Sequence, residues 1–531
     1  MLVAFPVGRV PDCAERKKKP DTDLSAFSPA LRSCSAADLQ GFSTVPKAGI
    51  QSLRVCFGRT ASPHPRLGLR VLPYCVLLFA LMLITGCGSV RTRTGFYEPI
   101  TVDLKNHSFD AVVAAVDAAK QKNQYGHKDR FLYYVESGLA NHYASRFDTS
   151  ITRFSSAESA AEDLFTKSIS RAATSLLLND NVLEYAGEDY EILYTNIFNC
   201  LNFIALDNFE GAFVEVKRAN LKLDLLEQKY AKAAEELQRG SPDDTDRVEM
   251  EYKAEKVRFH NDAFARYLSM HMYAADGKWD DARIDMDYLR DAFASQSHVY
   301  SFPMPNVDYS PEAGKAILSV VGLAGLSPVK EAWDLRIRTD KDLNLVQVLY
   351  TDSEGKDVEY GHLPVDIGED FYFKFSIPRI VQRPSSVSKI RVFANAEPIG
   401  ELQLIEDVYK VADETFKAKR SLIYTRSVAR AIAKGLAGYK LKKDLDTGGF
   451  AGWLKKAAVD VATEVSEASD LRCSRLLPGR IYVGDFEIAP GTYDLRIEYF
   501  DSANQLLHAK DIPQYKVLDY GLNLVQAVAF R

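Results

Sequence analysis

From Phe109 to about residue 297 the apolar positions recur with the period of a helix. One pattern returns four times: an aromatic residue, then small or apolar residues three, seven and ten positions later. It reads Phe109, Val112, Val116, Ala119; then Phe147, Ser150, Phe154, Ala157; then Phe209, Ala212, Val216, Ala219; then Trp279, Ala282, Met286, Leu289. The spacing predicts a layer of helix pairs over 106–297, in which either the repeats are degenerate or further helices are inserted over 158–188 and 220–262. Phe302-Pro303-Met304-Pro305 and Pro311 break the period, so 298–330 is expected as a linker.

Beyond Trp333 the period becomes two. Leu335 and Ile337, Val346, Val348 and Tyr350, then Phe371, Phe373 and Phe375 alternate with polar neighbours, and Asp352-Ser353-Glu354-Gly355 reads as a hairpin turn. The helix period returns over 407–470. Strand patterns resume at Tyr493, Leu495, Ile497 and Tyr499 and close the chain at Leu522 to Phe530. The expected fold class is α+β: a helical solenoid followed by a small antiparallel β-sandwich over 331–531. In that reading 407–470 is a helical insertion, and strands of 481–531 pair with strands of 333–405.

A different pattern precedes all this. Val71 to Ile84 is an uncharged apolar run of 14 residues, preceded by Arg66 and Arg70 and followed by Thr85, Gly86 and Cys87. A span needs about 17–25 residues, so this run suits the core of a secretory signal better than a transmembrane helix. The step Ile84-Thr85-Gly86-Cys87 resembles a bacterial lipobox. That resemblance implies a signal peptide over 66–86 and a mature chain beginning at Cys87 with diacylglycerol on its sulfur. Residues 87–105 are then expected as a tether. Residues 1–65 show no sustained period, and no Met lies between Met1 and Met82. They are expected to be untranslated or disordered, with the start of translation close to the signal.

Charge narrows the partners. Residues 1–70 carry 11 basic and 5 acidic side chains, a net of +6, so the whole-chain charge of −6 leaves −12 on the remainder. An acidic chain outside the cytosol argues against nucleic acid, which needs clustered positive charge. Of the seven cysteines only Cys200 and Cys473 lie beyond Cys87, too few for a disulfide framework or a metal cluster.

The strings Asp207-Asn208-Phe209-Glu210-Gly211-Ala212 and Gly277-Lys278-Trp279-Asp280-Asp281-Ala282 resemble the turn and second helix of a tetratricopeptide repeat. Gly138, nine residues before Phe147, resembles the small residue where the two helices of such a repeat meet. Tyr133-Tyr134-Val135-Glu136-Ser137-Gly138-Leu139, Glu467-Ala468-Ser469-Asp470-Leu471-Arg472, Leu477-Pro478 and Pro490-Gly491-Thr492-Tyr493 together resemble a family of uncharacterised bacterial lipoproteins. Where that family commonly has Trp near the Leu-Pro step, this chain has Cys473-Ser474-Arg475. The resemblance implies architecture and location rather than chemistry.

No nucleophile-elbow, zinc-protease, P-loop or dinucleotide motif is present, and no catalytic, metal or cofactor site is expected. Between Lys417 and Lys443 nine basic residues occur with no acidic one, and Arg426, Arg430 and Lys434 share a helical stripe. With Arg472 and Arg475 they are the candidate contacts for an anionic partner. The expected role is a lipid-anchored scaffold in the bacterial cell envelope, periplasmic or surface-facing, that binds another envelope protein without catalysis. A small-ligand or transport accessory lipoprotein is the alternative.

Overall fold

The computed structural model describes residues 88–174, 180–239, 256–340, 342–343, 345–351, 356–364, 372–444 and 469–531. The fold is α+β. Helices α1 (Gly88–Lys105), α2 (Phe109–Gln121), α3 (Arg130–Tyr143), α4 (Phe147–Thr174), α5 (Asp189–Ala205), α6 (Phe209–Asp224), α7 (Leu226–Arg239), α8 (Ala263–Ala275) and α9 (Trp279–Ser295) precede the first strand.

Four of the connections between these helices are the same turn. His107, Ser145, Asp207 and Gly277 each sit two residues before the aromatic of the sequence pattern, at φ of 57°, 57°, 54° and 72°. The next residue then donates its N–H to a carbonyl five positions back: Ser108 to Asp103 at 2.9 Å, Arg146 to Asn141, Asn208 to Phe203 and Lys278 to Tyr273, each at 2.8 Å. This closure satisfies carbonyls that a helix end otherwise leaves open. The pairs α1/α2, α3/α4, α5/α6 and α8/α9 are therefore hairpins of one design. Every pattern position three, seven and ten residues after the aromatic is buried. Gly138 permits the closest approach, because a Cβ there would lie 2.5 Å from the Phe154 ring.

In α5/α6 and α8/α9 the first helix is the inner one. In α3, α5 and α8 most residues are buried, including charged and polar ones, whereas α6 and α9 bury one face and expose the other. Residues 88–105 correct the expected tether: they form helix α1, and Tyr97, Ile100 and Leu104 recur at helical spacing and are buried in the core.

Among the described residues the strands form three sheets. The first has the order β12 (Asn523–Ala529), β1 (Ala316–Ala324), β9 (Arg480–Ile488), β8 (Gln403–Asp407). The second runs β11 (Leu506–Val517), β10 (Gly491–Phe500), β6 (Lys389–Ala394), β7 (Glu397–Glu401). The third runs β4 (Asp357–Pro364), β3 (Leu345–Thr351), β2 (Val329–Asp340), β5 (Tyr372–Val381). Among the described residues only β1 and β12 pair in parallel. The first two sheets enclose a core of Leu318, Val320, Ile390, Val392, Leu495 and Ile497. Helix α10 (Val408–Asp444) leaves β8 and packs on β5, α5 and α7.

Two expectations need correcting here. Strand β1 lies inside the stretch expected as linker. Its even-numbered residues Leu318 and Val320 enter the sandwich core, while Val321 and Leu323 enter the core shared with the helices. A strand buried on both faces has no alternation to betray it. The strands of 480–529 pair as expected with strands of 333–405 at β6 and β8, and also with β1, but among the described residues none of them pairs with the third sheet. One apolar core runs from Tyr97 on α1 to Phe530 beyond β12, so helices and strands share it.

Candidate functional site

The inner face of the helical layer is occupied by the chain itself. Residues 469–478 form neither helix nor strand, and most of them are buried. Polar groups of α3 and α5 grip the backbone of this segment. Glu191 accepts the N–H of Ser474 at 2.5 Å, Glu136 accepts that of Arg475 at 3.4 Å, and the Tyr143 hydroxyl donates to the Leu476 carbonyl at 2.9 Å. From the other side, Ser327 N–H meets the Leu477 carbonyl at 2.8 Å, and the Arg383 guanidinium meets that of Arg475 at 2.8 Å. A backbone outside any helix or sheet has unpaired donors and acceptors, and burying it requires partners of this kind.

Arg472 locks the segment in place. Its guanidinium forks onto Asp470 at 2.8 and 2.7 Å, reaches Asp129 at 2.7 Å, and donates to the carbonyls of Asp180 and Leu183. It also lies 5.1 Å over the Tyr185 ring. A planar guanidinium with five donors suits this convergence; an ammonium would not match it. Burial raises the Asp470 carboxyl, but the charge of Arg472 overrides it and holds the group below the ordinary range.

The carboxylates that hold the backbone behave oppositely. Burial pushes Glu136 up to about 7, even though Tyr125 and Tyr97 donate to it at 2.5 and 2.7 Å and oppose the shift. Burial and the nearby charge of Glu188 push Glu191 up to about 6, against the opposing hydrogen bond from Tyr185. Glu188 itself stays low: Lys330 at 2.6 Å and Lys419 at 2.9 Å outweigh its burial.

The sequence-predicted contacts fall mostly inside this structure. Arg426 and Arg430 are 7% and 2% exposed, and Arg426 meets Asp180 at 2.6 Å with Arg430 at 3.8 Å from the same carboxylate. The basic stripe is corrected accordingly: helix α10 is packed on both sides, so Val428, Ile432 and the arginines opposite them are all buried. Arg472 is buried as well, and Arg475 lies half-buried over the Tyr97 ring at 4.8 Å. Arg426, Arg430 and Arg472 are turned to carboxylates of the chain itself rather than to an open anion site. The Lys434 side chain, Cys87, Glu467, Ala468 and residues 1–86 lie outside the described residues.

Sequence reasoning missed Glu136, Glu191 and Asp129 as the partners. A signal existed for Glu136: it sits three residues from both Tyr133 and Leu139, on the helix face that must be buried.

A second site lies at the other end of the layer. A cleft of about 240 Å³ opens between the α8–α9 turn, β1 and the β11–β12 turn, lined by His271, Trp279, Tyr309, Ser319, Tyr520 and Asn523 among others. At its floor Asp485 accepts from Tyr267 at 2.7 Å and from His271 Nε2 at 3.1 Å, leaving His271 Nδ1 to face Ser319 Oγ at 3.4 Å. Ser319 and Asp485 are direct cross-strand partners. Hydroxyl, imidazole and carboxylate follow one another, but β1 is paired along both edges. Its N–H groups belong to the ladder, so the strand carrying Ser319 offers no oxyanion donors.

Comparison of the chain with protein families, with curated proteins and with solved structures finds no match.

Proposed function

We propose that this is a lipid-anchored protein of the bacterial cell envelope, attached through Cys87, that serves as a non-catalytic scaffold for another envelope protein. The helical hairpins are read as tetratricopeptide-like. The shared turn and the Gly138–Phe154 contact support that reading. The inner face grips residues 469–478 of the chain itself, so what supports the scaffold role is the set of large apolar side chains left exposed on the outer helices, since stacked helix pairs build binding surfaces.

Because residues 469–478 fill that inner face, the partner is assigned to the outer helices. Val214 and Leu221 on α6, Leu225 just beyond it, and Ile284 and Tyr288 on α9 are all more than 40% exposed. Both helices pack against α8, and gathered exposed apolar side chains mark contact surfaces more often than scattered ones do. The membrane part of the proposal rests on Cys87 and the apolar run before it.

The test has two arms. Palmitate labelling of the protein in its own cells should mark wild type and not Cys87→Ala. A photo-crosslinker at Leu221 or Tyr288 should capture one discrete envelope protein, whereas the same group at Tyr520 should not. Unlabelled wild type would refute the anchor, and identical capture at all three positions would refute the outer-face assignment.

A further inference from the structure

We propose that the cleft between the α8–α9 turn and the β11–β12 turn binds the ring of a neutral saccharide. This does not rest on the scaffold reading above. Its mouth carries two large aromatic side chains facing solvent, Trp279 at 51% and Tyr520 at 74% exposed, and Tyr309 forms part of the wall. Flat apolar faces held in water are stable partners for the C–H faces of a pyranose ring, which are apolar while its edge is polar.

The floor supplies the complementary polar edge. Ser319 and His271 are 1% and 3% exposed. His271 Nε2 faces the Asp485 carboxylate at 3.1 Å and Nδ1 faces Ser319 Oγ at 3.4 Å. A hydroxyl has one donor and two acceptor sites, so Ser319 Oγ keeps capacity for a ligand hydroxyl whichever way that contact runs. Asn523 holds the β11–β12 turn in place, accepting from Leu518 N–H at 2.8 Å and donating to its carbonyl at 2.9 Å.

Charge selects against anions. Among the described residues no lysine or arginine lines the cleft, and Asp519 stands at its edge. A phosphate or carboxylate there would lack the cation such groups require when desolvated. The volume of about 240 Å³ lies under the roughly 300–1,000 Å³ of drug-sized sites, which fits one ring rather than an enclosed chain.

The full-length protein, solubilised in a detergent without a sugar headgroup, should be titrated calorimetrically with neutral hexoses, N-acetylhexosamines and their short oligomers. Glucuronic acid serves as the charged control. At least one neutral saccharide should bind saturably. Trp279→Ala and Tyr520→Ala should each weaken it about tenfold, equivalent to ~1.4 kcal/mol, with thermal midpoints unchanged. Trp279→Phe, which keeps a ring, should retain most of the affinity and covers the case in which the alanine variant misfolds. Absence of saturable binding across the neutral panel overturns the proposal. So does binding indifferent to both rim substitutions, or glucuronic acid binding as tightly as the neutral sugars.

Discussion

Arg472 and Asp129 stand 343 residues apart in the chain and meet at 2.7 Å, both side chains largely sealed from solvent. The pair closes segment 469–478 onto the start of helix α3. Removing the guanidinium strands Asp129 and Asp470 together. Arg472→Ala should therefore cost about 3–5 kcal/mol, the range for breaking a buried pair on one side. Arg472→Lys should recover only part of that, because an ammonium cannot fork onto Asp470. Urea denaturation of the three proteins measures both effects.

Glu136 gives the fold a pH dependence of defined sign. Its folded value is raised from 4.5 to about 7 by burial, so the proton is held more tightly in the folded chain. The resulting stability is fully present below pH 4.5 and is lost as pH rises through about 7. Across that window Glu136→Gln should abolish a loss of about 3 kcal/mol relative to wild type. Asp470 acts with the opposite sign: its carboxyl is lowered, and its contribution disappears as pH falls below the ordinary aspartate range. Stability curves of wild type, Glu136→Gln and Asp470→Asn at several pH values separate the two.

Gly138 and Phe154 make a reciprocal prediction. Gly138→Ala places a methyl 2.5 Å from the ring, an overpacking expected to cost about 1–3 kcal/mol. Adding Phe154→Leu should relieve part of it. The double-mutant cycle should show coupling rather than additivity.

The hairpin turns respond to residue type in opposite directions. At Gly277, φ is +72° with open space around the Cβ position. Gly277→Ala should cost about 1 kcal/mol through backbone strain alone. Asp207→Gly, at φ of 54°, should be neutral or stabilising by a few tenths of a kcal/mol. Thermal midpoints of the two variants check this.

Much of the helical layer was legible in the sequence because each hairpin buries one face, and Phe209, Ala212, Val216 and Ala219 fall on it at fixed spacing. The alternating strands β2, β3 and β5 were legible for the same reason in period two. Strand β1 was not, since both of its faces are covered and its residues run Val320-Val321 without a polar break. The arginines misled because a helical stripe of like charge looks the same whether water or Asp180 faces it. Only the packing of α10 against both neighbours decides between them. Segment 469–478 carried no period at all, and its fixation depends on Glu136, Glu191 and Asp129, side chains that sequence spacing cannot bring together.

Amide hydrogen exchange at Ser474 and Arg475 tests the cis-occupied inner face most directly. Protection equal to that of buried amides in α5, lost at Ser474 in Glu191→Ala and at Arg475 in Glu136→Ala, is the predicted result. Exchange at the rate of an unstructured peptide, with α5 still protected, would contradict it.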